Sequence, residues 1–130
     1  MTFITIMTTP NQLSTDKIKR GSVVLLPFPN SNLQTAKLRP ALIIQADELQ
    51  TGLEQVVLAM ISSNLSRANH KSRILIETKT KRGKESGLLF DSVVMTDNLA
   101  TVALSKITRV IGELKEMSEV NQALRETLGL

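Results

Sequence analysis

The chain of 130 residues has no cysteine, no tryptophan and no tyrosine, and only three phenylalanines and one histidine. Each shortage removes a class of function. Without cysteine there is no disulfide framework, no thiolate metal site and no cysteine nucleophile. A single histidine, His70, rules out a two-histidine ribonuclease arrangement and a multi-histidine metal centre; it sits in the basic stretch Arg67–Arg73 and reads as a surface side chain. Few aromatics weaken any reading that needs bases stacked on aromatic platforms. They also oblige the core to be made of Val, Ile, Leu, Met and Ala. No stretch approaches the roughly 20 apolar residues of a membrane span, and the first ten residues lack the basic and apolar regions of a signal peptide. The expected setting is therefore the cytoplasm, with no membrane association. A phosphate-cradling glycine loop is missing too.

What is present fits one globular domain, since a chain of this length buries roughly two-thirds of its unfolded surface. Hydrophobic residues make up 42% and charged residues 22%, both ordinary for a soluble domain. The net charge of +4 is unevenly placed. Leu65–Lys84 holds seven bases against one acid, and Lys17–Arg39 five bases and no acid. From Glu85 to Leu130 seven acids face four bases. This asymmetry points to a basic face for a polyanion, against the simpler reading of solvated Lys- and Arg-rich loops.

Residues 1–16 read as a flexible N-terminal tail and 17–130 as the domain. Ser22–Phe28, Ala41–Gln45 and Gln55–Ile61 are short apolar runs of strand type, with Pro40 expected at the first position of the second. Arg73–Thr78 alternates with period two, the pattern of a half-buried strand. Lys79–Ser86 reads as a basic loop, Leu88–Met95, Thr101–Leu104 and Ile107–Leu114 as further strands. Helical spacing appears in Met117–Leu128, with Met117, Val120, Leu124 and Leu128 on one stripe and Ser118 or a neighbour as cap. Many short strands and one late helix predict a mainly β or α+β barrel-like domain.

The chemistry left by these exclusions is that of arginine and hydroxyl groups. Carboxylate metal clusters need several acids at one point, and the spacing of Asp47, Glu48, Asp91 and Asp97 gives no sign of convergence. Arginine and serine suit RNA cleavage by the RNA's own 2′-hydroxyl, where the protein holds the backbone in line and neutralises phosphorane charge. The arginine fork presents several donors to phosphate and stays charged. Arg39, in Arg39-Pro40, and the hydroxyls of Ser62 and Ser63 at a strand end are the candidates. The competing reading makes Arg39 a surface ion-pair partner and Ser62-Ser63 an ordinary turn.

KRGSVVLLPFP, LRPALIIQ, VVLAMISSN and FDSVVMTDNLATVALSKITRVIGEL, in this order over residues 17 to 128, resemble the successive segments of the MazF/PemK family of toxin endoribonucleases. The resemblance implies an SH3-like β-barrel with a C-terminal helix, a homodimer, and sequence-selective, metal- and cofactor-free cleavage of single-stranded RNA (mRNA). The products it implies are 2′,3′-cyclic phosphate and 5′-hydroxyl ends. It places the catalytic arginine at Arg39 and the strand-end hydroxyl at Ser62, with Ser63 the neighbouring alternative. The loop before the Arg-Pro pair contacts RNA in the family, and Gln34, Thr35 and Lys37 occupy it here. Ser63, Asn64 and Arg67 complete the expected RNA contacts. A cognate antitoxin with an acidic or amphipathic tail is the implied protein partner. This chain departs from the pattern in that loop, which has neither Gly nor Glu, so no loop glutamate serves as a base; Gly21-Ser22 stands where Gly-Asp is frequent. Two other readings are a catalytically inactive RNA- or protein-binding barrel with a regulatory role, and a metal-dependent nuclease.

Overall fold

The computed structural model describes residues 18–29, 32 and 34–130; the expected tail lies outside them. Six strands and two α-helices follow in the order β1 (Ser22–Pro29), β2 (Ala36–Ile43), β3 (Gln55–Ser62), β4 (Arg73–Ile76), α1 (Lys81–Ser86), β5 (Ser92–Ala103), β6 (Arg109–Glu113) and α2 (Ser118–Leu128). The strands form one curled antiparallel sheet in the order β4-β5-β3-β2-β1-β6. This is the mainly β, barrel-like architecture with a C-terminal helix that was expected, its six strands curled into a half-barrel. Among the described residues no helix is long and apolar enough to cross a membrane.

The central strands read as unbroken apolar runs because both their faces are covered. Val23, Leu42, Ala59, Ile61 and Val94 point to one core with Val120 and Ala123 of α2. Their neighbours Val24, Leu26, Ala41, Ile43 and Leu58 form the other. Burying each of the larger side chains stabilises the fold by roughly 1.5–3 kcal/mol. The helix stripe is partly corrected. Val120 and Ala123 are its buried residues, whereas Leu128 is exposed. Ser118 lies inside the helix and Met117 is the N-cap, with the Glu116 carboxylate accepting the Ser118 N–H.

Three further expectations change. Pro40 does not begin a strand but sits inside β2, opposite Leu25 of β1 and one residue before pairing with β3 begins at Ala41. That position has a ladder partner on one side, which tolerates a missing N–H. Leu88–Phe90 lies outside the strands, and the two strands expected around Thr96–Ala100 are one, β5, interrupted by a bulge: Met95 pairs with Met60 and Leu99 with Ala59, so Thr96–Asn98 have no partner on β3. The basic loop Lys79–Ser86 contains α1. Thr80 caps its start by accepting the Gly83 N–H at 3.1 Å, and Gly87, in the left-handed region at φ 75°, ends it.

α1 reaches both bordering strands of the sheet. The Arg82 guanidinium donates to the Leu75 carbonyl of β4 at 2.7 Å. On the other side the backbones of α1 and β6 touch: a Cβ on Gly112 would lie 2.4 Å from the Glu85 and Ser86 carbonyl oxygens, and one on Gly87 2.0 Å from that of Ile111. Lys115 pairs with Glu85 across the same seam.

Candidate active site

The β2–β3 ladder pairs Ile43 with Leu58, Leu42 with Ala59 and Ala41 with Met60, and stops there. Pro40 has no N–H to continue it. Extending the register two residues sets Arg39 opposite Ser62 at the point where the strands part. Both side chains are half-buried, and both line a cleft of about 810 Å³. Four cations, Lys37, Arg39, Arg67 and Arg109, are among the described residues that line it, and no carboxylate is. In such a setting an anion is favoured and a phosphodiester is the natural fit.

Ser62 is held for donation. Its Oγ accepts the Asn64 N–H at 3.1 Å, which leaves the hydroxyl proton for an acceptor in the cleft. Ser63, Asn64 and Arg67 also line the cleft, so the structure gathers most of the expected set. Asn64 has a local task as well: its Oδ1 accepts from the Ser66 N–H and hydroxyl, capping the short turn Leu65–Arg67. Gln34 and Thr35 are exposed and are not among the residues lining the cleft; their N–H groups donate to Asn32 Oδ1 in the turn before β2.

The basic stretch Leu65–Lys84 does not form the continuous face its charge implied. Arg67 alone of its seven bases lines the cleft. Lys71 pairs with Glu126, Arg73 with Asp97 and Arg82 with Glu119, so much of the positive charge is matched by the acidic C-terminal half. His70 lies outside the cleft, with Nδ1 accepting the Ser72 N–H at 3.1 Å. Among the described residues no group of three or more His, Asp or Glu side chains is placed to hold a metal ion.

Sequence reasoning missed Asn98 and Arg109, and the apolar residues Phe28, Leu89 and Phe90, all of which line the cleft. The polar Asp97-Asn98 pair inside an apolar run was the available signal for a bulge. Arg73 stabilises that bulge. Its guanidinium binds Asp97 at 2.7 Å and the Arg67 carbonyl at 3.2 Å, joining the two segments that carry Asn98 and Arg67. The hydrogen bond from Arg73 holds the Asp97 carboxyl below the ordinary carboxylate range, and the Arg73 charge adds to the effect. A depressed carboxyl contributes stability that is present above its unfolded value of about 3.9 and is lost as pH falls through the folded one. Asp97→Asn is therefore expected to melt a few degrees below the wild type near neutrality. The gap should close on acidification below about pH 4. Thermal melts across that range check this, and a gap that stays constant with pH would remove the ion pair from the account.

A family model described as "PemK-like, MazF-like toxin of type II toxin-antitoxin system" matches residues 19–128. Endoribonuclease MazF6 of Mycobacterium tuberculosis is 34% identical over 105 residues, covering 78% of this chain and 88% of that protein. Endoribonuclease MazF of Staphylococcus saprophyticus is 29% identical over 117 residues, covering 87% and 92%. In fold the chain is similar to a solved mycobacterial endoribonuclease in complex with its cognate antitoxin, with a TM-score of 0.66 at 20% identity over 87% of this chain and 96% of that one.

Proposed function

We propose, from the premise that this chain belongs to the PemK-like, MazF-like toxin family of type II toxin–antitoxin systems, that Arg39 and Ser62 carry out its chemistry on single-stranded RNA. The chain is an endoribonuclease toxin, with residues 17–130 as its catalytic domain. Arg39 and Ser62 together in the lining of one cleft, with four cations and no carboxylate among the described lining residues, is the observation that carries the reading.

The substrate's 2′-oxygen attacks the adjacent phosphorus and the bond to the 5′-oxygen breaks. A 2′,3′-cyclic phosphate and a 5′-hydroxyl result, with the 2′ proton leaving and one proton ending on the departing 5′-oxygen. Arg39 binds the non-bridging oxygens, whose charge grows in the phosphorane, and Ser62 donates to one of them. Lys37, Arg67 and Arg109 hold neighbouring phosphates, which fixes the strand in line for attack. Gln34, Thr35, Ser63 and Asn64 complete the RNA contacts. No metal ion has a part in these steps.

The protein partner is a cognate antitoxin with an acidic segment, which competes with RNA for the same cations. The enzyme acts as a homodimer in the cytoplasm, where its mRNA substrates are.

End-mapping of cleaved RNA tests the chemistry. Cutting in excess EDTA, with cyclic phosphate and 5′-hydroxyl ends, is the expected result. Activity that EDTA removes, or 5′-phosphate ends, would replace this mechanism with a metal-assisted hydrolysis.

A further inference from the structure

The protein has three aromatic residues, and the two that are described, Phe28 and Phe90, both line the cleft. Phe90 is 71% exposed although it is one of the largest apolar side chains available to a core short of aromatics. It lies beside Leu89, which is 86% exposed.

The backbone that presents Phe90 is clamped on both sides. Gly87, three residues before it, packs directly on the Ile111 carbonyl. The Asp91 carboxylate accepts the Thr78 N–H at 2.7 Å and the Thr78 hydroxyl at 2.9 Å, and the Ser92 hydroxyl donates to the Phe90 carbonyl at 2.7 Å. Ser92 itself is buried. A ring on a fixed support, at the margin of a cationic cleft, loses little freedom when a flat partner covers it.

We propose that Phe90 is the platform on which an unpaired nucleobase of the bound RNA stacks, and that it sets the affinity for single strands over duplexes. This rests on the RNase reading of the cleft. The charge of the cleft favours a nucleic acid over an apolar protein segment: its cations take phosphates, and the ring takes the base that a single strand leaves open. A base in a duplex is stacked on its own neighbours and has no free face for Phe90.

Replacing the ring by an aliphatic chain tests this. Phe90→Leu should raise KM for a single-stranded oligonucleotide about tenfold or more, with the loss falling on KM and kcat changing little. Phe90→Trp should keep the wild-type KM. Because the chain has no tryptophan or tyrosine, the F90W indole is a lone reporter: its fluorescence should be quenched when a mixed-sequence single-stranded oligodeoxynucleotide, which lacks the attacking 2′-hydroxyl, is added, and not by the same strands as duplex. An unchanged KM in F90L, or an unquenched indole, would overturn the proposal. So would a fall in the sedimenting mass of F90L, which would make the ring a contact between copies of the chain. If F90L fails to fold, the F90W titration decides alone. A wild-type protein that cuts no RNA would end the nuclease reading, while the titration would still report on the ring.

Discussion

Arg39→Ala is expected to lower RNA cleavage by about a thousandfold and to leave the fold intact. The magnitude follows from what is removed: one preorganised donor to a developing oxyanion is worth about 10²–10³ in rate, and a charged fork on a transferring phosphoryl group about 10³–10⁵. Stability should change by less than about 1 kcal/mol, because Arg39 is half-buried at the cleft and is not part of either apolar core. Arg39→Lys should recover a minor share, since an ammonium restores the charge without the planar pair of donors. Rates on a fluorogenic oligonucleotide, read beside thermal melts, give both quantities. Full cleavage by the alanine variant would assign the chemistry to another residue.

Gly87→Ala is expected to have the largest effect on stability, about 3 kcal/mol, or about 10 °C in melting temperature for a domain of this size. Two costs combine there. The backbone at φ 75° disfavours any side chain, and the added Cβ would lie 2.0 Å from the Ile111 carbonyl oxygen, so β6 or α1 must shift. Gly52→Ala separates the two. At φ 82° it carries the backbone strain with nothing within 4 Å of the new Cβ, and should cost only about 1 kcal/mol. Urea or thermal denaturation of the pair measures the difference. Equal losses would mean that the α1–β6 seam gives way without resistance.

β1, the second half of β2 and most of β3 were legible because they are covered on both faces and read as apolar runs; the exposed first half of β2, with Lys37 and Arg39, did not read as a strand. Arg39 and Ser62 were legible as residue types, although only Ser62 is at a strand end and Arg39 lies inside β2. Their opposition was not, since it depends on a register that β3 sets after a long loop. α1 was hidden because Lys81–Ser86 has a glycine and little apolar periodicity. Its stability comes from Thr80, Gly87 and contact with β6. The ion pairs Lys71–Glu126 and Arg82–Glu119 join segments far apart in the chain. Local charge counts therefore mistook structural pairing for a binding face. The scarcity of aromatics argued against stacking, yet both described rings line the cleft. A count says nothing about placement.

The position of α1 has a further consequence for life at high local concentration. The border of an open sheet offers unpaired peptide groups that can template the addition of another chain, the first step toward insoluble assemblies. In this protein β4 and β6 are the borders, and they are its two shortest strands, of four and five residues. Arg82 covers a carbonyl of one, and the helix backbone lies against the other. Through Arg82 a six-residue helix thus occupies an edge carbonyl of β4 that another chain could otherwise pair with, without adding a strand to close the barrel.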